Sequence, residues 1–88
     1  MNEKNPRNVI IGKNIRYYRV QYGMTIELLA EFTNSDPKYL TNIENGLHSP
    51  SLEKVLYIAY VLDVSIDNLV EGTEDLIDAP PREEIERR

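Results

Sequence analysis

The sequence predicts an all-α fold, five short helices followed by a charged tail. Three observations lead there. First, signals for a helix start recur along the chain, at Asn5-Pro6, Thr25, Asp36-Pro37, Ser51 and Ser65. Each offers a side-chain oxygen to the orphan N–H groups of a first helical turn. A proline at the first position loses nothing, because its N–H would be unpaired there anyway. Second, the apolar residues after these starts recur at intervals of three and four. Third, no run alternates apolar and polar residues as a half-buried strand does.

The first helix begins near Pro6 and runs to about Tyr22. Ile11, Ile15, Tyr18 and Tyr22 form one apolar stripe on it, with Lys13, Arg16 and Arg19 elsewhere on the cylinder. Gly23 ends it, and Met24 is a core candidate. The second helix follows the Thr25 cap to about Thr33, with Leu29 and Ala30 inward. Asn34-Ser35-Asp36-Pro37 is a turn signal, and asparagine tolerates the left-handed backbone that a sharp reversal needs. Asp36 caps the third helix, Leu40 and Ile43 share its inner face, and Gly46 after Asn45 stops it. The small Ala30 lets the third helix cross the second closely at a steep angle.

Leu47 to Pro50 is a loop, and Ser51 opens a fourth helix from Leu52 to about Leu62. That helix is apolar on nearly all sides and so wants two partners: the core and a second copy of the chain. Tyr57, Tyr60 and Val61, with Val64 in the following link, are the candidate dimer contacts. Ser65 caps a fifth helix carrying Ile66, Leu69 and Val70, with Gly72 beyond its end. Composition then changes to Ala-Pro-Pro and Arg-Glu-Glu-Ile-Glu-Arg-Arg. The expected division is a helical domain over 1–72 and a charged tail over 73–88, mobile apart from a turn or two of helix.

Composition narrows the functional classes. Eighty-eight residues make one small domain. With no cysteine and a single histidine, neither a disulfide framework nor a metal centre is expected, and no cofactor is implied. No catalytic motif or glycine-rich phosphate cradle appears, so an enzyme is not expected. No stretch approaches the roughly 20 apolar residues of a membrane helix, and the start lacks the apolar region of a signal peptide. A cytoplasmic protein without membrane contact is the expectation. The net charge of −5 is the wrong sign for a protein that neutralises phosphates everywhere. Its distribution is uneven: residues 1–24 carry +4, while 25–50, 51–72 and 73–88 each carry −3.

Residues 25–46 therefore hold two short helices joined by a tight turn, a helix-turn-helix. The outward set on its second helix is Lys38, Tyr39, Thr41, Asn42 and Asn45. These side chains suit base edges: asparagine bonds adenine bidentately, lysine donates to guanine acceptors, and threonine serves through its hydroxyl or methyl. An ordinary helical hairpin with a wet polar face explains the same residues equally well.

The span from about Ile11 to Gly72 resembles the lambda-repressor/Cro-like, or XRE, helix-turn-helix family. The resemblance runs through Ile11-Gly12, Ile15-Arg16, Arg19, Gly23-Met24-Thr25 and Leu29-Ala30-Glu31. It continues through Leu40, Ile43-Glu44-Asn45-Gly46, Ser49-Pro50-Ser51-Leu52, Ile58-Ala59, Leu62-Asp63-Val64-Ser65 and Leu69. It implies a five-helix domain and a transcriptional regulator acting as a homodimer on two-fold sites in double-stranded DNA. Carried over by position, Arg19 and Glu44 look like the family's ion pair. Pro37, Lys38, Thr41 and Asn42 look like groove-facing positions. Thr25 and Asn45, their backbone N–H groups included, resemble phosphate-side positions.

The chain departs from the family pattern in several places. Ile26 stands where a DNA-anchoring Gln is usual and Leu28 where a capping-box Glu is usual. Ser35 replaces an apolar turn residue, Phe32 a polar one, and Leu47 and Ser49 commonly basic ones. Ile26, Leu28 and Phe32 thus give the second helix extra apolar surface, either core or a contact face for another protein.

The expected function is sequence-specific DNA binding by a homodimeric regulator, a repressor, on a palindromic or pseudo-palindromic operator. Base reading falls to Pro37, Lys38, Tyr39, Thr41 and Asn42. The DNA backbone falls to Arg19, Thr25, Asn45, Lys13 and His48, with Lys4 and Arg7 in the lead-in. The alternative is a protein-interaction module, an antirepressor or antitoxin-like partner, favoured by the acidic balance and by the apolar excess on the second helix. Another regulatory protein would then bind through that helix or the tail.

Overall fold

All five expected helix starts are capped by the side chain that the sequence nominates. Asn5 accepts from the Arg7 N–H, Thr25 from Leu28, Asp36 from Lys38, Ser51 from Lys54 and Ser65 from Asn68. At Ser65 the cap is reciprocal, because the Asn68 side chain accepts in turn from the Ser65 N–H. The structure is a computed structural model that describes residues 4–76 and 78–87. The helices are α1 (Pro6–Tyr22), α2 (Ile26–Phe32), α3 (Pro37–Glu44), α4 (Leu52–Leu62), α5 (Ile66–Val70) and α6 (Arg82–Glu86), with a 3-10 turn at Glu74–Leu76. No helix among the described residues is long and apolar enough to cross a membrane.

The core is built where the periodicity places it. Ile15, Met24, Leu29, Ala30, Leu40, Ile43, Val55, Ile58, Ala59, Leu62 and Leu69 are buried together. Ile11, Tyr18, Ile26, Tyr39, Val61, Val64 and Ile66 pack half-buried around them. Tyr22 corrects the expected stripe of α1: it is 57% exposed. Its angle on the helix is that of Ile15, but it is the last residue of α1 and lines an open depression instead of the closed core.

Reversals are made as the turn chemistry demands. Asn34 sits at φ 52° between α2 and α3, and Asp63 at φ 56° after α4. Gly46 at φ 78° closes α3, with the Leu47 N–H reaching back to the Asn42 carbonyl.

Two faces of α1 hold the molecule together. On one, Gly12 meets the C-terminal end of α3: a Cβ at residue 12 would collide with the carbonyl oxygens of Ile43 and Glu44, the latter at 2.7 Å. Val9 lies against Gly46 on the same side. On the other face, Asn14 donates to the carbonyls of Leu69 and Glu71 at 3.0 and 2.9 Å, and Arg7 donates to that of Leu76 at 2.7 Å. The chain past Gly72 is therefore tied to α1 for one further turn, where a mobile tail was expected. Arg7, expected to point at phosphate, is turned to this side instead. Helix α6 is exposed throughout.

Candidate nucleic-acid interface

Helix α3 presents a polar face held on three sides. Its inner residues Leu40 and Ile43 are 1% exposed and fix its rotation about its own axis. With that rotation set, Lys38, Thr41 and Asn45 face solvent at spacings of three and four, Pro37 is exposed at the start, and Asn42 is half-buried beside them. Tyr39 is not presented as freely as the sequence reading expects. It is half-buried against the core and stacks on His48, ring centroids 6.5 Å apart and planes 22° apart. His48 is thus an exposed loop residue lodged beside the first turn of α3.

The C-terminal end of α3 is clamped to α1. Arg19 donates from Nε to Glu44 Oε2 at 2.7 Å and from Nη2 to Oε1 at 3.0 Å, a two-pronged pair, while Nη1 donates to the Met24 carbonyl at 2.8 Å. The side chains are 14% and 7% exposed. Hydrogen bonding to Glu44 raises the Arg19 guanidinium above its ordinary value against the opposing effect of burial, and the charges of Glu44 and Glu27 add to this. Together with the Gly12 contact, the clamp gives the end of α3 a fixed height against α1.

The N-terminal end of α3 is fixed by the turn. The Thr33 hydroxyl donates to the Leu29 carbonyl at 2.7 Å and lies 3.0 Å from the Ser35 hydroxyl. The Ser35 N–H reaches the Ala30 carbonyl at 2.8 Å. Lys54, at the start of α4, donates from Nζ to the carbonyls of Thr33 and Asn34 at 2.8 and 3.5 Å. Lys54 is given no role by the sequence, and Gly12 enters there only as part of the family resemblance. The signal for Gly12 was its place inside a helix, which is destabilising unless something approaches closely.

The expected backbone contacts divide. Lys13 is exposed, and so is Thr25, whose side-chain oxygen already caps α2. The Asn45 side chain is exposed, but its N–H donates to the Thr41 carbonyl at 3.0 Å, so the expected phosphate contact from that amide is corrected: the amide is spent on ending α3.

The expected dimer residues divide as well. Tyr57, Tyr60 and Val61 line an open depression of about 620 Å³ together with Tyr22 and Phe32. Val64 packs half-buried against the core and is not part of that lining. The extra apolar residues of α2 separate in the same way: Ile26 joins the core edge, whereas Leu28 and Phe32 are exposed.

A family model described as helix-turn-helix matches residues 15–69. The HTH-type transcriptional regulator SinR of Bacillus subtilis (strain 168) is 35% identical over 63 residues, 70% of this chain and 57% of SinR. The chain therefore spans little more than half the length of that relative. A crystal structure of SinR, described as the master regulator for biofilm formation, in complex with DNA is 35% identical with a TM-score of 0.66, covering 69% of this chain and 98% of that one. A complex of SinR with SinI is 32% identical with a TM-score of 0.68, covering 88% of this chain and 75% of that one. A helix-turn-helix whose second helix is braced at both ends, with a family match across more than half the chain, has one assignment: the chain belongs to the lambda-repressor/Cro-like (XRE) helix-turn-helix family of transcriptional regulators.

Proposed function

We propose that the chain is a sequence-specific DNA-binding repressor that acts as a homodimer on a palindromic or pseudo-palindromic operator. The observation that carries this reading is the solvent-facing row Lys38, Thr41 and Asn45 with Asn42 beside it, on a helix braced at both ends. Helix α3 enters the major groove. Lys38 and Asn42 read base edges, Thr41 and Pro37 add apolar or hydroxyl contacts, and Tyr39 supports the first turn from its stack with His48. Lys13, His48, the Asn45 side chain, the start of α2 at Thr25 and the remaining N–H groups of Arg19 take phosphates. The DNA complex of SinR supports the first part of this reading. The depression lined by Tyr22, Phe32, Tyr57, Ala59, Tyr60, Val61 and Asp63 supports the second, since an 86% exposed tyrosine in a mostly apolar recess suits a symmetric partner.

The test is selection of bound duplexes from a random pool. Palindromic winners with half-sites about one helical turn apart support the proposal, and an unenriched pool overturns it. Within the winners, Lys38→Ala or Asn42→Ala relaxes preference at single base positions by about 1–3 kcal/mol.

The same depression favours a second reading, a module that binds another regulatory protein and leaves DNA alone. The two separate on nonspecific duplex at low salt, where only the DNA-binding reading predicts retention.

A further inference from the structure

Lys54 is badly placed for its own helix. It is the third residue of α4, its N–H already taken by the Ser51 cap at 3.1 Å. A cation in a first turn meets the positive end of the helix dipole and is unfavourable there. The ammonium group, however, does not lie over α4. It reaches the end of α2, where the carbonyls of Thr33 and Asn34 accept its hydrogen bonds at 2.8 and 3.5 Å. The Thr33 carbonyl belongs to the C-cap of α2, the end of a helix that attracts a cation, and that of Asn34 follows it in the turn.

The two residues it holds need holding. Asn34 is a non-glycine residue in the left-handed region. Thr33 is 1% exposed and carries a hydroxyl among apolar neighbours, made tolerable by its bonds to the Leu29 carbonyl and to Ser35. The Ser35 hydroxyl also lies 3.2 Å from the Thr33 carbonyl, and its single proton is shared between that oxygen and the Thr33 hydroxyl, so Lys54 is the fuller donor to the carbonyl. Two residues on, Asp36 caps α3 through the Lys38 N–H at 2.8 Å.

We infer that Lys54 is a positioning residue for the DNA-reading helix: from α4 it locks the turn between α2 and α3 through the Thr33 and Asn34 carbonyls, and so sets the angle at which Lys38 and Thr41 are offered. The inference rests on the DNA-binding reading above for its consequence, though not for the lock itself.

The experiment uses the full chain and Lys54→Met, which keeps the aliphatic stem and removes the ammonium, with Lys54→Arg as the conservative control. Amide exchange at Ser35, Asp36 and Lys38 reads the lock without DNA. It accelerates about tenfold in Lys54→Met and recovers in Lys54→Arg, and unchanged exchange overturns the inference. Duplex binding reads the consequence. Lys54→Met loses about tenfold in affinity for the selected duplex while nonspecific affinity and salt slope stay as in the wild type. A slope shallower by about one per subunit makes Lys54 a phosphate contact and overturns the positioning role. If the wild-type chain retains no duplex at all, the DNA reading fails, and the exchange result still decides the lock.

Discussion

At residue 12 a single hydrogen atom sets the distance between two helices. Gly12→Ala drives a methyl into the backbone oxygens of Ile43 and Glu44, which belong to a helix end and cannot swing aside like the tip of a side chain. The expected cost is about 2–3 kcal/mol despite alanine's better helix propensity, measured by denaturant unfolding. A neutral or stabilising result would mean that α1 and α3 do not meet at this height. The Arg19–Glu44 pair behaves differently. Glu44→Gln leaves a mostly buried guanidinium with a neutral partner and costs about 2 kcal/mol. In the double variant Arg19→Met with Glu44→Gln the two losses are less than additive, which a double-mutant cycle reads directly. Because the Arg19 guanidinium is raised in the fold, its contribution is fully present below the unfolded arginine value and fades only as pH rises through the higher folded one. The arginine side of the pair is thus constant at any pH at which the protein is handled.

At the scale of elements, all five caps and both motif helices were legible, since a cap is a local bond between residues two or three apart. What escaped was set by partners distant in sequence. Helical period fixes the angle of Tyr22 but not that it borders an open depression, and composition does not say that Arg7 bonds a carbonyl 69 positions away. Lys54 reads as a surface charge until the end of α2 is beside it. The candidate interface was legible as a set of exposed polar residues on α3. The half-burial of Tyr39, its stack on His48 and the spent Asn45 amide were not, because each depends on how the following loop folds back. Helix α4, read as apolar on nearly all sides, does keep Tyr57 and Tyr60 exposed next to Phe32 of α2. For the proposed homodimer, Tyr60→Glu should therefore weaken self-association by at least about 2 kcal/mol while leaving the monomer fold intact, seen as a shift to monomer in sedimentation equilibrium. A Tyr60→Glu chain as dimeric as the wild type would assign the depression to something other than a second copy.

For the whole molecule the charge split decides how DNA would be held. Residues 1–24 are the one region with a basic excess, and Arg7 and Arg19 within it are already bonded inside the fold. About three phosphate pairings per subunit give a dimer a log–log salt slope near about −5, shallow for the class. A titration of affinity against salt checks this, and a slope near about −10 would require cations that the reading leaves out. Removing residues 73–88 takes away a charge of −3 and releases Arg7 from the Leu76 carbonyl. Truncation after Gly72 should therefore tighten DNA binding; unchanged affinity would remove any role of the tail in electrostatics.

The two opposed faces of α1 have a mechanical corollary. Val9 and Gly12 touch the end of α3, and Arg7 and Asn14 hold the end of α5 and the turn after it, about 160° around the same cylinder. A shift of the segment after α5 would therefore be felt one helix width away, roughly 10 Å, on the side of α1 where Glu44 ends α3.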